Sequence, residues 1–264
     1  MLKRFITDIK KHYKYTIYSA KAELKAEVAG SYLNWIWWIL DPICFMLIYT
    51  LIFGYVFNAK EQYFPVFIFI GITIWDFFNR NMHAAVKIVK KNKPIVTKVY
   101  IPKFVLIMSK MMVNGFKMLV SLGIVVLMMI VYQIPINANV LFVIPLMIDL
   151  WILNFGLMCI LAHFGVFVED LANVVNIALK LMFYLTGVFY SIESRLGKNH
   201  PFIADVLGKA NPLAYIIMSM REGLIYRETP NVVVMLIWFI LSLVICCIGV
   251  RVIYKNENSY VKVI

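Results

Sequence analysis

Charge is scarce in this chain. Asp, Glu, Lys and Arg make up only 15% of its 264 residues, where a soluble domain carries about 25%. Hydrophobic residues make up 62%, more apolar surface than a single globular core of this length would hide. Soluble-enzyme classes are therefore excluded first, and an integral membrane protein is expected. The four cysteines (Cys44, Cys159, Cys246, Cys247) all fall inside apolar runs and show no Cys-x-x-Cys or Cys/His ligand spacing, which removes support for a disulfide framework or a zinc site. The four histidines are scattered, and no Gly-x-x-x-x-Gly-Lys-Ser/Thr loop occurs, so no nucleotide site of that type is expected. Neither paired carboxylates within one apolar segment nor a Ser/His/Asp or Cys/His set is found, and catalysis is not expected. The first 28 residues carry charges throughout, unlike a cleavable signal peptide.

The apolar runs are long. A bilayer core of about 30 Å needs roughly 20 apolar residues as a helix. Six spans are predicted: Trp35–Phe57, Phe64–Phe78 extended into Asn79–Val86, Phe104–Tyr132, Val140–Val168, Val174–Tyr190 and Val232–Tyr254. A shorter apolar stretch, Pro212–Met220, lies between the last two. It reads as a re-entrant or interfacial helix, because irregular backbone at membrane depth is tolerated where protein or a wet cavity surrounds it. The expected fold is all-α: one membrane domain over 1–264, with an interfacial helix in 1–34, a six-span bundle in 35–254 and a tail in 255–264.

The net charge of +12 is unevenly placed. Residues 1–34 hold seven Lys and Arg against three acids, and Asn79–Lys103 holds seven and no acid. The loop 58–63 has one Lys and the loop 133–139 has none. The positive-inside rule then puts both termini in the cytoplasm, and the excess charge reads as topology rather than nucleic-acid affinity. Two segments fit less simply: the loop after span four carries Glu169 and Asp170, and 191–231 mixes five cations with four acids.

Several features are candidates for function. Residues 14–34 mix cations with Leu24, Val28 and Tyr32 at four-residue spacing, the pattern of a helix lying in the interface. It either anchors the chain or also caps a cytoplasmic entrance. Trp35, Trp37 and Trp38 suit an interfacial aromatic belt or the stacking of sugar rings. Residues 90–104 alternate cations with Ile95, Val96, Val99, Tyr100 and Ile101 between Pro94 and Pro102. That is one or two helical turns, either a solvated loop or an element that docks into a partner's groove. Ionisable residues at membrane depth are functional candidates by default: Asp41, Lys110, Lys117, Asp149 and Lys180. The three lysines are placed to snorkel to the cytoplasmic face. Arg221 is either a charged lip of an exit path or a cap in an outer loop.

In order and spacing these residues resemble the membrane permeases of ABC exporters for O-antigen, capsular polysaccharide and teichoic acid. The opening pattern of that family, an interfacial helix followed by Gly or Ser, Leu-x-Trp and Pro, reads here AGSYLNWIWWILDP, through Pro42. Its basic Val/Tyr-x-Pro-Lys/Arg element corresponds to Lys98, Val99, Tyr100, Ile101, Pro102 and Lys103, and its outer Asn-Pro followed by Arg to Asn211, Pro212 and Arg221. Two departures stand out: Glu169-Asp170 where the family usually has Arg-Asp, and Gly187 before Val188-Phe189-Tyr190 where it usually has Pro before an aromatic.

The resemblance implies a homodimer in the bacterial cytoplasmic membrane, bound to two separate ATP-binding subunits that hold the ATP and Mg, with no cofactor in this chain. It implies ATPase contacts through residues 92–103 (Pro94 and Lys98 to Lys103) and through Glu169 and Asp170. The segment 191–231 would form paired re-entrant helices around the exit. The cargo would be an undecaprenyl-diphosphate-linked glycan or polyol-phosphate polymer, with Tyr32, Trp35, Trp37, Trp38, Asp149 and Arg221 along its path. A related exporter of a drug, lantibiotic or haem is the alternative. A lipid-modifying enzyme would need clustered carboxylates or histidines, and a scaffold would not need the basic element at 90–104.

Overall fold

A computed structural model describes residues 2–30, 32–56, 61–197 and 199–263. Ser31, Phe57 and Lys60 lie outside them, as do the side chains of Asn34 and Lys262. All regular structure among the described residues is helical.

Helix α1 (Leu2–Val28) is amphipathic and packs lengthwise on α5. A short 3₁₀ turn (Asn34–Ile36) leads into α2 (Trp37–Tyr49), which holds Pro42 inside it and continues as a π-helical stretch over Thr50–Val56. α3 (Phe64–Lys91) starts with Pro65 in its first turn, where a missing N–H costs nothing. α4 (Lys93–Val96) is a single turn after Asn92. α5 (Lys103–Val131) follows Pro102, and α6 (Val143–Phe167) follows a 3₁₀ turn at Ala138–Phe142. α7 (Leu171–Leu185) comes after only three linking residues. Then come α8 (Ile192–Leu196), α9 (Pro201–Ala210) and α10 (Pro212–Arg221), which runs on as π-helix through Glu222–Tyr226, and finally α11 (Val232–Val263).

The predicted second span is one continuous helix, α3, and it is the central one: Val66, Ile68, Phe69, Ile70 and Ile74 are fully buried. Four helical segments among the described residues are long and apolar enough to cross a membrane: Trp37–Gly54, Lys103–Val131, Ala138–Phe167 and Val232–Glu257. The other two predicted spans differ for identifiable reasons. α3 carries Asp76, Arg80 and the lysines of its last turns. α7 has 15 residues, about 22 Å of helix against a core of about 30 Å. It stops before Tyr190 because the chain turns at Gly187, which has φ +69°.

Small residues set the closest helix contacts, as expected where lipid supplies no hydrophobic drive between helices. α6 and α11 meet at Gly156 and Gly249. A Cβ on Gly156 would stand 2.6 Å from the Cys246 backbone nitrogen, and one on Gly249 2.5 Å from the Gly156 carbonyl oxygen. Gly165 lets the end of α6 reach the backbone of Val86 on α3. The α6–α7 turn therefore sits at the same end of the bundle as α4.

Candidate functional site

The basic segment after α3 folds much as its prolines require. Pro94 opens α4, and Pro102 precedes α5 with an extended backbone. Pro94, Ile95, Lys98, Val99 and Tyr100 are exposed. Ile101, Pro102 and Lys103 are not: Ile101 joins the core and Lys103 is almost wholly covered. The candidate docking surface is thus Pro94–Tyr100 and excludes the three residues after it, because the chain must already turn inward at Ile101 to start α5. Glu169 and Asp170 are exposed in the tight α6–α7 turn at this same end.

Tyr100 is held from behind by the two ends of the chain. Its hydroxyl donates to Glu257 Oε1 at 2.9 Å and accepts from Arg4 Nη2 at 2.9 Å. Arg4 itself lies 2.7 Å from Glu257. Burial, then the bond to Glu257, pushes the Tyr100 phenol above its ordinary pKa, so it keeps its proton and remains a donor. The same carboxylate raises the Arg4 guanidinium. Beside this cluster, Tyr254 donates to Asp8 at 2.7 Å and carries Arg4 over its ring at 4.6 Å. None of these contacts is local in sequence.

Polar groups also collect at membrane depth between α2, α3 and α5. Arg80 on α3 bonds Asp41 on α2 at 3.2 Å and Asp76 one turn away at 3.5 Å. These side chains, with Trp37, Trp38, Asn114 and Lys117, line an open cavity of about 190 Å³. Trp35 and Trp37 are about half exposed, Tyr32 is fully exposed, and Trp38 packs edge-on against Phe116 at 5.7 Å. Behind the cavity, Asn114 donates to Asn81 at 2.7 Å and Asn81 to Asn154 at 3.4 Å, a buried amide chain through α5, α3 and α6.

Lys110 and Lys117 both reach α1. Lys110 lies 2.6 Å from Glu23, and Lys117 lies 2.5 Å from Glu27. Both acids belong to α1, so the N-terminal helix neutralises the lysines of α5 as it climbs along that helix. Lys180 is exposed on α7.

Two residues expected on a substrate path are interior instead. Asp149 is fully buried between α6 and α11, with Ser242 facing it. Arg221 is 4% exposed and spends its guanidinium on backbone: Nε on Phe67 O at 3.1 Å, Nη1 on Gly187 O at 2.9 Å and Nη2 on Val188 O at 2.7 Å. It also stacks 3.4 Å from the Phe67 ring. It is a brace tying α10 to α3 and to the turn after α7, at the end of α3 opposite α4. The motif Asn211-Pro212 has an equally local reason: Asn211 accepts from the amides of Leu213 and Ala214 while Pro212 fills the first helical position. Next to Arg221 lies a second cavity of about 290 Å³, lined by Glu61, Thr186, Tyr190, Glu222 and Glu228 among others. No group of His, Cys, Asp and Glu suited to a metal ion occurs among the described residues.

Among the described residues the arrangement is a helical membrane unit whose exposed basic turn is anchored to both chain ends. The sequence profile of the ABC-2 type transporter matches residues 16–225. The chain belongs to the ABC-2 type transporter family. As an ABC-2 chain it is a membrane transport subunit, and membership implies ATP-binding partners. It is 26% identical over 243 residues to an O-antigen export system permease protein RfbA of Klebsiella pneumoniae, covering 92% of each chain. It is 27% identical over 229 residues to the protein of that name from Myxococcus xanthus, covering 86% of each.

Sequence reasoning missed Asp76, Arg80, Asn81, Asn114, Asn154 and Glu257. Three asparagines within apolar runs and an Asp/Arg pair four apart in span two were visible signals.

Proposed function

We propose that this chain is the channel-forming subunit of an exporter that carries a lipid-linked polysaccharide, on an undecaprenyl-diphosphate-type carrier, across the bacterial cytoplasmic membrane. It works as a homodimer with two separate ATP-binding subunits, which hold the ATP and Mg, while this chain holds no cofactor. The whole of 1–264 acts as one permease domain. α2, α3, α5, α6, α7 and α11 serve as six spans, with α3 and α7 completed by the partner copy and by surrounding protein. α9 and α10, each of 10 residues and so about 15 Å long, enter and leave the outer leaflet as re-entrant helices. Both termini lie in the cytoplasm beside the basic turn.

The observation that carries this reading is the Pro94–Tyr100 turn. Ile95, Lys98, Val99 and Tyr100 are exposed, with Val96 tucked into the core, yet Tyr100 is bonded to Arg4 and Glu257. A solvated loop has no use for such anchoring; a lever pushed by an ATP-binding subunit does. The cargo is inferred from the two O-antigen relatives, which align along most of their length. Glu169 and Asp170 extend the docking end as a second, acidic contact.

Deleting the gene in its own host tests the reading. Lipid-linked polymer should disappear from the cell surface and accumulate inside, and the intact gene should restore it. Unchanged surface polymer, with loss of resistance to a small molecule, would instead make it a small-molecule exporter.

A further inference from the structure

Helix α1 sorts its charges. Its three acids all turn to the bundle: Asp8 accepts from Tyr254, Glu23 meets Lys110 and Glu27 meets Lys117. Lys3, Lys10, Lys14, Lys21 and Lys25 are exposed. They recur at intervals of seven and four, which sets them in one stripe along the helix. The acids that alternate with these lysines in the sequence are thus spent elsewhere, and a row of ammonium groups faces outward.

Beside that row runs an apolar groove of about 150 Å³ between α1 and α5, walled by Ile9, Tyr13, Ile17, Phe104, Met108 and Met112 among others. His12 and Thr16 border it too, but they spend polar atoms within α1. The Thr16 hydroxyl donates to the His12 carbonyl at 3.0 Å, and His12 Nδ1 lies 2.9 Å from the Asp8 carbonyl. Going round α1 at about 100° per residue, the wall residues Tyr13 and Ile17 are followed by Lys10, Lys21 and Lys14. The groove therefore has a cationic rim. Its depth suits that rim: the exposed large apolar residues of α5 run from Phe116 to Val131, about 24 Å of a core of about 30 Å. The groove, at Phe104 to Met112, lies before them, at the headgroup end of the helix.

An occupant must bring an apolar chain and an anion together. A second copy docked on this face by a two-fold axis would set one lysine row against the other. A zwitterionic lipid fills the groove and leaves the lysines unmatched. An anionic phospholipid satisfies both, and a cluster of lysines on an amphipathic helix is the pattern such lipids recognise. We propose that the α1–α5 groove is a binding site for an anionic phospholipid, with an acyl chain along Ile9, Ile17, Met108 and Met112 and the phosphate at Lys10 and Lys14. The lipid is then a wedge that helps to set how α1 lies on α5. This holds for any cargo, and its failure would leave the exporter reading untouched.

The test uses the permease complex purified in mild detergent. It is titrated with phosphatidylglycerol and, separately, with phosphatidylcholine of the same chains, and bound lipids are counted by native mass spectrometry. One phosphatidylglycerol per copy of this chain should bind at least tenfold more tightly than phosphatidylcholine. K10Q/K14Q should weaken phosphatidylglycerol about twentyfold, at about fivefold per lysine, and leave phosphatidylcholine unchanged. M108W, which fills the groove, should weaken both lipids; if it fails to insert, the lysine pair decides alone. Equal binding of the two lipids, or an unaltered preference in K10Q/K14Q, overturns the proposal. Displacement of phosphatidylglycerol by equimolar undecaprenyl phosphate overturns it as well, and gives the groove to the carrier.

Discussion

The Tyr100 hydroxyl donates to Glu257 at 2.9 Å, joining the exposed turn after α4 to the last helix across 157 residues of sequence. Arg4 completes the triangle from the first helix. Movement imposed on the turn therefore reaches α1 and α11 directly, as well as α3 and α5, which it connects. A bond to a charged group contributes about 1.5–3 kcal/mol, enough to matter for a lever and too little to hold the bundle together.

Tyr100→Phe and Glu257→Gln should accordingly leave membrane insertion and subunit association intact while reducing export several-fold per molecule. ATP hydrolysis should continue at or above its normal rate, as in an uncoupled machine. The check is the ratio of polymer exported to ATP hydrolysed. A ratio equal to that of the unaltered protein would remove the lever.

Exposed and inward-facing residues of the same segment should part company. Val99→Asp should weaken co-purification of the ATP-binding subunits with normal amounts of permease in the membrane. Ile101→Asp should lower the amount of permease itself, because Ile101 is in the core and burying an unpaired charge costs several kcal/mol. Quantitative blotting of membranes before and after affinity purification separates the two effects.

The Arg221 brace depends on a glycine. A Cβ at Gly71 would stand 2.6 Å from Arg221 Nη2 and 3.0 Å from the Val188 carbonyl oxygen. Gly71→Ala should therefore destabilise the protein by about 1–3 kcal/mol. Arg221→Lys should do the same, since an ammonium lacks the planar fork that reaches three separate carbonyls. Both are read as a lower midpoint in a thermal aggregation assay of the detergent-solubilised permease.

Glu27 and Lys117 should behave as a pair. Either Glu27→Ala or Lys117→Ala should loosen α1, seen as faster proteolysis between α1 and α2. The exchanged variant, Glu27→Lys with Lys117→Glu, should recover most of the protection. Equal proteolysis in all variants would mean that α1 is held by its apolar face alone.

Much of this architecture was legible in the sequence because it is local. Prolines 94 and 102 delimit the basic turn, Asn211-Pro212 starts α10, and the apolar runs of α5, α6 and α11 announce themselves by length. What stayed hidden depends on contacts between distant segments. The partners of Lys110 and Lys117 are not visible in the sequence, because Glu23 and Glu27 come beside them only when α1 packs on α5. Tyr100 and Ile101 look alike in an alternating pattern, and only the inward turn to α5 tells them apart. Asp149 and Arg221 drew attention as charges in apolar surroundings, but that signal marks a bracing residue as readily as a path. The group with the open polar surface, Asp41 with Asp76 and Arg80, needed two helices to be placed side by side.

The most direct test of the account is ATP-driven transfer of polymer into inside-out vesicles containing this chain and its ATP-binding partners. The account predicts that radiolabelled lipid-linked glycan added outside becomes inaccessible to an added glycosidase only with ATP, and only when this chain is present. Equal protection without ATP, or in vesicles lacking the chain, would contradict it.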